Sequence, residues 1–203
     1  MKKTKKLLII ALGVVMINPL FQSCKKGEND PFISFKSRDK RLAQTWKLTL
    51  VDGSTINEDP GANPGETTTS TTTYDGTTLK FFEIMTFDDG TPTDTLNDDI
   101  DAYTFEMTID KNGSVTSKSV KNGTDVIEST GEWYWVNDGK NKSSININFI
   151  NADLITLTKT FVVDELRSKQ LTLKFSFVEI NTIDGVLDKK DSESLTYTFE
   201  KQK

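Results

Sequence analysis

Residues 103–115, Tyr103-Thr104-Phe105-Glu106-Met107-Thr108-Ile109-Asp110-Lys111-Asn112-Gly113-Ser114-Val115, decide the fold. From Tyr103 to Ile109 every second residue is apolar, the period of a strand covered on one face only. Asn112-Gly113 follows at once. Asn-Gly tolerates the positive φ of tight primed turns, whose twist matches that of the strands they join. Ser114 to Val120 then gives the returning strand, so the stretch predicts an antiparallel hairpin.

The same grammar extends both ways. Toward the C-terminus, Asn122-Gly123 leads into Val126 to Trp135, and Asp138-Gly139 into Ile145 to Phe149. Further strands are predicted over Leu154 to Val163, Leu171 to Phe177 and, beyond Asp184-Gly185, Leu195 to Phe199. Toward the N-terminus lie Leu79 to Phe87 and Trp46-Lys47-Leu48-Thr49-Leu50. Helical period is confined to single turns at Asp39 to Ala43 and Val163 to Ser168. Parallel strands need crossover helices, so βαβ folds are excluded. The expectation is an all-β chain, an antiparallel up-and-down meander closing to a β-barrel, with a two-sheet sandwich as the alternative. Closure favours the barrel because it removes exposed edges. Asp59 to Thr78, with Pro60, Pro64 and a Thr-rich run over Thr67 to Thr73, is expected to be a solvated loop. So is Asp88 to Asp101, whose six aspartates lack the spacing of a calcium loop.

The chain has 203 residues, 25 basic against 30 acidic, one Cys and no His. Without histidine, Ser-His-Asp triads, Cys-His dyads, His-ligated zinc and haem His are excluded. The acidic balance argues against a nucleic-acid surface. No paired carboxylates are placed across a cleft, and the expectation is a protein that is no enzyme and uses no cofactor or metal.

The N-terminus has its own layout. Met1 to Lys6 is basic, and Leu7 to Ile17 is an 11-residue run of apolar residues and one Gly. Asn18-Pro19 breaks it before Leu20-Phe21-Gln22-Ser23-Cys24. This is the pattern of a secretory signal peptide, and the run is too short for a membrane span of about 20 residues. Phe21 to Cys24 resembles the lipobox of bacterial lipoproteins, which implies acylation of Cys24. The expected organisation is a signal peptide over 1–23, a lipidated Cys24 and polar tether over 24–37, and one domain over 38–203. Lys25, rather than Asp, follows the Cys; by the family's sorting rule this implies a lipid anchor in the outer membrane, on its periplasmic face or at the cell surface.

Past the tether, Leu42-Ala43-Gln44-Thr45-Trp46 resembles the Leu-x-Gly-Thr-Trp opening of lipocalin-like domain lipoproteins, with Gln44 in place of the Gly. The Phe105 to Val115 hairpin and Gly131-Glu132-Trp133-Tyr134-Trp135 are similar to further stretches of that family. The likeness runs from about Arg38 to Glu200 and implies a lipocalin-like barrel with an apolar interior. From the alternation, Trp46, Leu48, Leu50, Phe105, Met107, Trp133, Trp135, Ile145, Ile147, Phe175 and Phe177 are expected to point inward. Trp46, Leu48, Phe105, Met107, Trp133, Trp135, Ile147 and Phe175 are the candidate ligand-lining set. Two readings stay open. One is a monomeric, lipid-anchored envelope protein whose open lumen takes a small apolar ligand. The other is a filled barrel acting as an interaction or structural module that meets protein or glycan through its loops.

Overall fold

A computed structural model describes residues 36–62, 65–136, 142–149, 155 and 157–203. The signal-peptide, lipidation and most of the tether expectations, together with Asp138-Gly139, lie outside those residues. The described chain holds one short helix, α1 (Arg38–Leu42), and eleven strands. These are β1 (Thr45–Asp59), β2 (Glu66–Tyr74), β3 (Leu79–Phe87), β4 (Pro92–Ile100), β5 (Thr104–Ile109) and β6 (Ser114–Lys121). The rest are β7 (Asp125–Trp135), β8 (Ser144–Phe149), β9 (Lys159–Leu166), β10 (Gln170–Ile183) and β11 (Val186–Lys201).

All pairings are antiparallel, in the order β11-β10-β9-β8-β7-β6-β5-β1-β2-β3-β4, and β11 also pairs with β1. That last pairing closes β1 and β5 to β11 into an eight-stranded barrel, which decides against the sandwich. Two of the turns follow the sequence chemistry; at Asn112-Gly113 the hairpin forms, but only Gly113 takes a positive φ (92°), the wider turn closing with Asp110 N–H donating to Ser114 O. Asn122 and Gly123 take φ of 51° and 73°, and Asp184 and Gly185 take 51° and 79°, the left-handed region that primed turns require.

β1 belongs to two structures at once. Its first residues, Thr45 to Lys47, pair with β5, but from Val51 onward the neighbour on that side is β2. The far half of β1 thus leaves the barrel rim and carries β2, β3 and β4 with it. On its other side it stays paired with β11, which is paired with β10 as far as Ile183. The result is a six-stranded wing, β10-β11-β1-β2-β3-β4, rising from one end of the barrel.

Two expected loops are therefore strands. β2 occupies Glu66–Tyr74 and β4 Pro92–Ile100. Neither shows apolar alternation because each meets the core only at its last residue, Tyr74 and Ile100; backbone pairing and the β-branched threonines of β2 hold the rest in the sheet. The expected helical turn at Val163 to Ser168 is also corrected. β9 runs through Leu166, and a turn closed by Arg167 N–H donating to Gln170 O (2.8 Å) leads into β10.

The core fills the barrel. Trp46, Leu48, Met107, Ile145, Ile147, Phe161, Leu171, Leu173 and Phe199 are fully buried, with Phe105 and Ile109 nearly so. At the end away from the wing, α1 caps the barrel. Leu42 is fully buried there, Ser37 caps the helix by accepting from Lys40 N–H, and Arg41 donates to the Leu166 carbonyl. At the wing end, Ile155 and Leu157 are buried against the same core.

Candidate functional site

The candidate lining residues converge on the barrel interior, and what they meet there is one another. Trp133 and Trp135 sit edge to face, with ring centroids 5.9 Å apart. Each indole N–H has a partner. Trp46 donates to Leu42 O (2.8 Å), Trp133 to Asp110 O (2.7 Å) and Trp135 to Asp39 Oδ1 (2.8 Å). Asp39 also holds Lys142 at 2.6 Å, so the short helix that caps the barrel is bound to β7 and to the segment before β8. A side chain facing a hollow wide enough for a ligand would be touchable by a water molecule inside it. Trp46, Leu48, Met107 and Ile147 have zero exposed surface. These residues belong to one hydrophobic core cluster.

Three expected inward residues depart from that set. Leu50 is 45% exposed, because a β-bulge between Leu48 and Leu50 inserts one residue against β11 and turns Leu50 outward, returning Val51 to the core. Phe175 is half-buried at the rim, packed on Phe161 at 6.3 Å and lying beneath the Lys159 ammonium at 4.4 Å. Lys159 reaches across it to Glu193. Phe177 keeps the inward parity of Phe175 but lies beyond the rim on the wing, 38% exposed.

The interior is not wholly apolar. Ser117, Ser119 and Ser129 face it from β6 and β7, and the Ser119 and Ser129 hydroxyls are buried with no hydrogen-bond partner among the described residues. Buried phenols behave as their surroundings dictate. Burial raises Tyr74, whose hydroxyl donates to Tyr103 O (2.8 Å), and raises Tyr197 further. Neither is poised to exchange a proton near neutral pH.

Among the described residues no cluster of three or more acidic or Cys side chains could hold a metal ion. The aspartates of β4 are spread along an exposed strand, and Asp99 is paired with Lys80 at 3.1 Å. What the sequence reading missed is the wing surface. Val178, Ile180, Ile183 and Val186 are each more than half exposed around the Asp184-Gly185 turn, and Phe82 adds to them on β3. The signal was present as apolar residues clustered about a turn, where solvated side chains are the rule.

Compared with known proteins, the chain matches no family model, and none of the curated proteins matches it. The likeness to lipocalin-like lipoproteins rests on the residues quoted above.

Proposed function

We propose that this protein is a lipid-anchored envelope protein, held in the outer membrane through Cys24, whose barrel is a filled scaffold and whose wing is a non-enzymatic contact surface for a protein or glycan. The observation that carries the reading is the contrast between the two ends of β1. Its barrel half buries Trp46 and Leu48 completely, whereas the wing it supports leaves large apolar side chains in water. A carrier needs the opposite arrangement, a concave apolar pocket that buries most of its ligand. Here, entry of an apolar molecule would have to displace the core.

Geometry also supports an outward-facing role for the wing. The anchor would precede α1, and α1 caps the end of the barrel opposite the wing. A tether of 24–37 attaches at the capped end and reaches up to about 3.5 Å per residue, which leaves the wing, at the opposite end, free to stand clear of the membrane.

The test uses the full chain in cells. A photoreactive residue replacing Phe82 is expected to give discrete adducts, and one replacing Tyr134, exposed on the barrel wall, none. Absence of adducts at Phe82, or equal adducts at Tyr134, would overturn the reading. Saturable quenching of tryptophan fluorescence by a long-chain fatty acid would restore the carrier.

A further inference from the structure

The wing has two outer edges, and they are built differently. β4 carries Pro92, Asp94, Asp98 and Asp99, the combination of proline and charge that keeps a free edge from pairing with another strand. The other edge is β10 beyond Lys174, where β9 ends its pairing at Val162 opposite Lys174. From Phe177 to Ile183 no described strand pairs with β10 on the side away from β11. Its sequence there, Phe177-Val178-Glu179-Ile180-Asn181-Thr182-Ile183, holds one charge and neither proline nor glycine. Val178 is 64% exposed and Ile180 59%. A free, apolar, unguarded edge is a template for another strand.

We propose that this edge is occupied by the same edge of a second copy, running antiparallel about a two-fold axis at Ile180. The choice of occupant follows from the residues. In a symmetric pair, directly opposed residues share a face, and an axis at Ile180 sets Ile180 against its counterpart, Val178 against Thr182, Phe177 against Ile183 and Glu179 against Asn181. Each copy's only charge on this edge then faces an amide. An axis one residue earlier would oppose Glu179 to Glu179, a like-charge pair that destabilises. Pairing of β10 with β4 of another copy would be head-to-tail and would propagate without closing; the acids and proline of β4 block it, whereas the isologous pair is complete after two copies. The two wings then form one twelve-stranded sheet with a β4 at each edge, and the two barrels continue its central strands in opposite directions. This departs from the monomer expected from sequence, where the edges were not visible. The axis turns the two capped ends in opposite directions, so two anchored copies reach one membrane only with the joined sheet lying along it.

The experiment uses the full chain, purified in detergent. Opposed residues of an antiparallel pair lie about 4.5–5.5 Å apart at Cα, within the reach of a disulfide. Ile180→Cys is therefore expected to give a reducible dimer on mild oxidation. Val178→Cys places its two thiols four residues out of register, about 13 Å apart along the strand, and gives none; all cysteine variants carry Cys24→Ser, which removes the other thiol, and that background and Tyr134→Cys also give none. In light scattering the parent is expected at twice the chain mass. Val178→Lys with Ile180→Lys is expected at the single mass with unchanged circular dichroism, while Asp98→Lys on β4 stays dimeric. A monomeric parent, no disulfide at Ile180→Cys, stronger crosslinking at Val178→Cys, or loss of the dimer in Asp98→Lys would each overturn the proposal. Should the double Lys variant fail to fold, the cysteine pair still decides.

Discussion

Gly131 shows how much one missing side chain can matter. It lies in β7 opposite Phe149 of β8, and a Cβ there would overlap the Asn148 carbonyl and come within 2.8 Å of Phe149 Cα. Both are backbone atoms in a paired strand and cannot step aside. Gly131→Ala is expected to destabilise by about 1–3 kcal/mol, the usual range for overpacking, measured as a lower midpoint in urea. Trp46→Ala removes a fully buried indole and its hydrogen bond to Leu42 O, and a loss of about 3–5 kcal/mol is expected. A loss below about 0.5 kcal/mol would mean a surface position. Asp75 gives a pH test. Its carboxylate accepts from Thr78 N–H, then from the Thr77 hydroxyl and N–H, and these bonds lower its pKa to about 2 from the ordinary 3.8. A depressed carboxylate stabilises the fold above its unfolded pKa and loses that contribution as pH falls through the folded one. The stability gap between the parent and Asp75→Ala should be constant from neutral pH to about 4 and close between about 4 and about 2. A gap that widened toward acid would contradict this assignment.

At the scale of elements, legibility tracked burial. Where a strand covers the barrel core, as in Phe105, Met107 and Ile109 of β5, the period of two was visible and the boundaries of β5 to β8 came within a residue or two, whereas β9, expected over Leu154 to Val163, runs over Lys159–Leu166. Where a strand is held by backbone pairing alone, there was nothing periodic to see. β2 is a row of threonines between two partners, and β4 is an acidic edge. The far halves of β1, β10 and β11 stayed hidden for the same reason, and with them the wing. The candidate interior was legible in composition and mostly in orientation, but whether it was hollow depends on side-chain volumes summed across eight strands. The β1 bulge was invisible because an inserted residue leaves the alternation of Trp46, Leu48 and Leu50 intact on paper. It makes a sharp prediction. Leu48→Ala should destabilise by about 2–5 kcal/mol, while Leu50→Ala, two residues on, should stay within about 0.5 kcal/mol. Similar losses at both positions would place both side chains inside and contradict the bulge.

For the whole molecule, the closed barrel and the scarcity of helix predict a far-ultraviolet circular dichroism spectrum of antiparallel β type, and a helical content above about 20% would contradict it, since ordinary domains hold about 30%. The proposed anchor is tested at this scale as well. Cys24→Ala is expected to abolish fatty-acid labelling and to move the protein out of the detergent phase. Each acyl chain contributes about 0.8 kcal/mol per buried CH₂, so the parent should resist extraction by high salt. Release by salt would indicate attachment by charge.

The pairing of β1 with β11 has a mechanical consequence. Its register runs from Trp46 opposite Lys201, beside the helical cap, to Glu58 opposite Lys190, out on the wing. A chain tethered before α1 and pulled at the wing carries its load lengthwise along these two strands. Tension in that direction shears the ladder, so its hydrogen bonds resist together and none can be peeled off in turn. If the chain is anchored as proposed, the strand that joins wing to barrel is thus also a tie rod between the anchor and any partner of the wing.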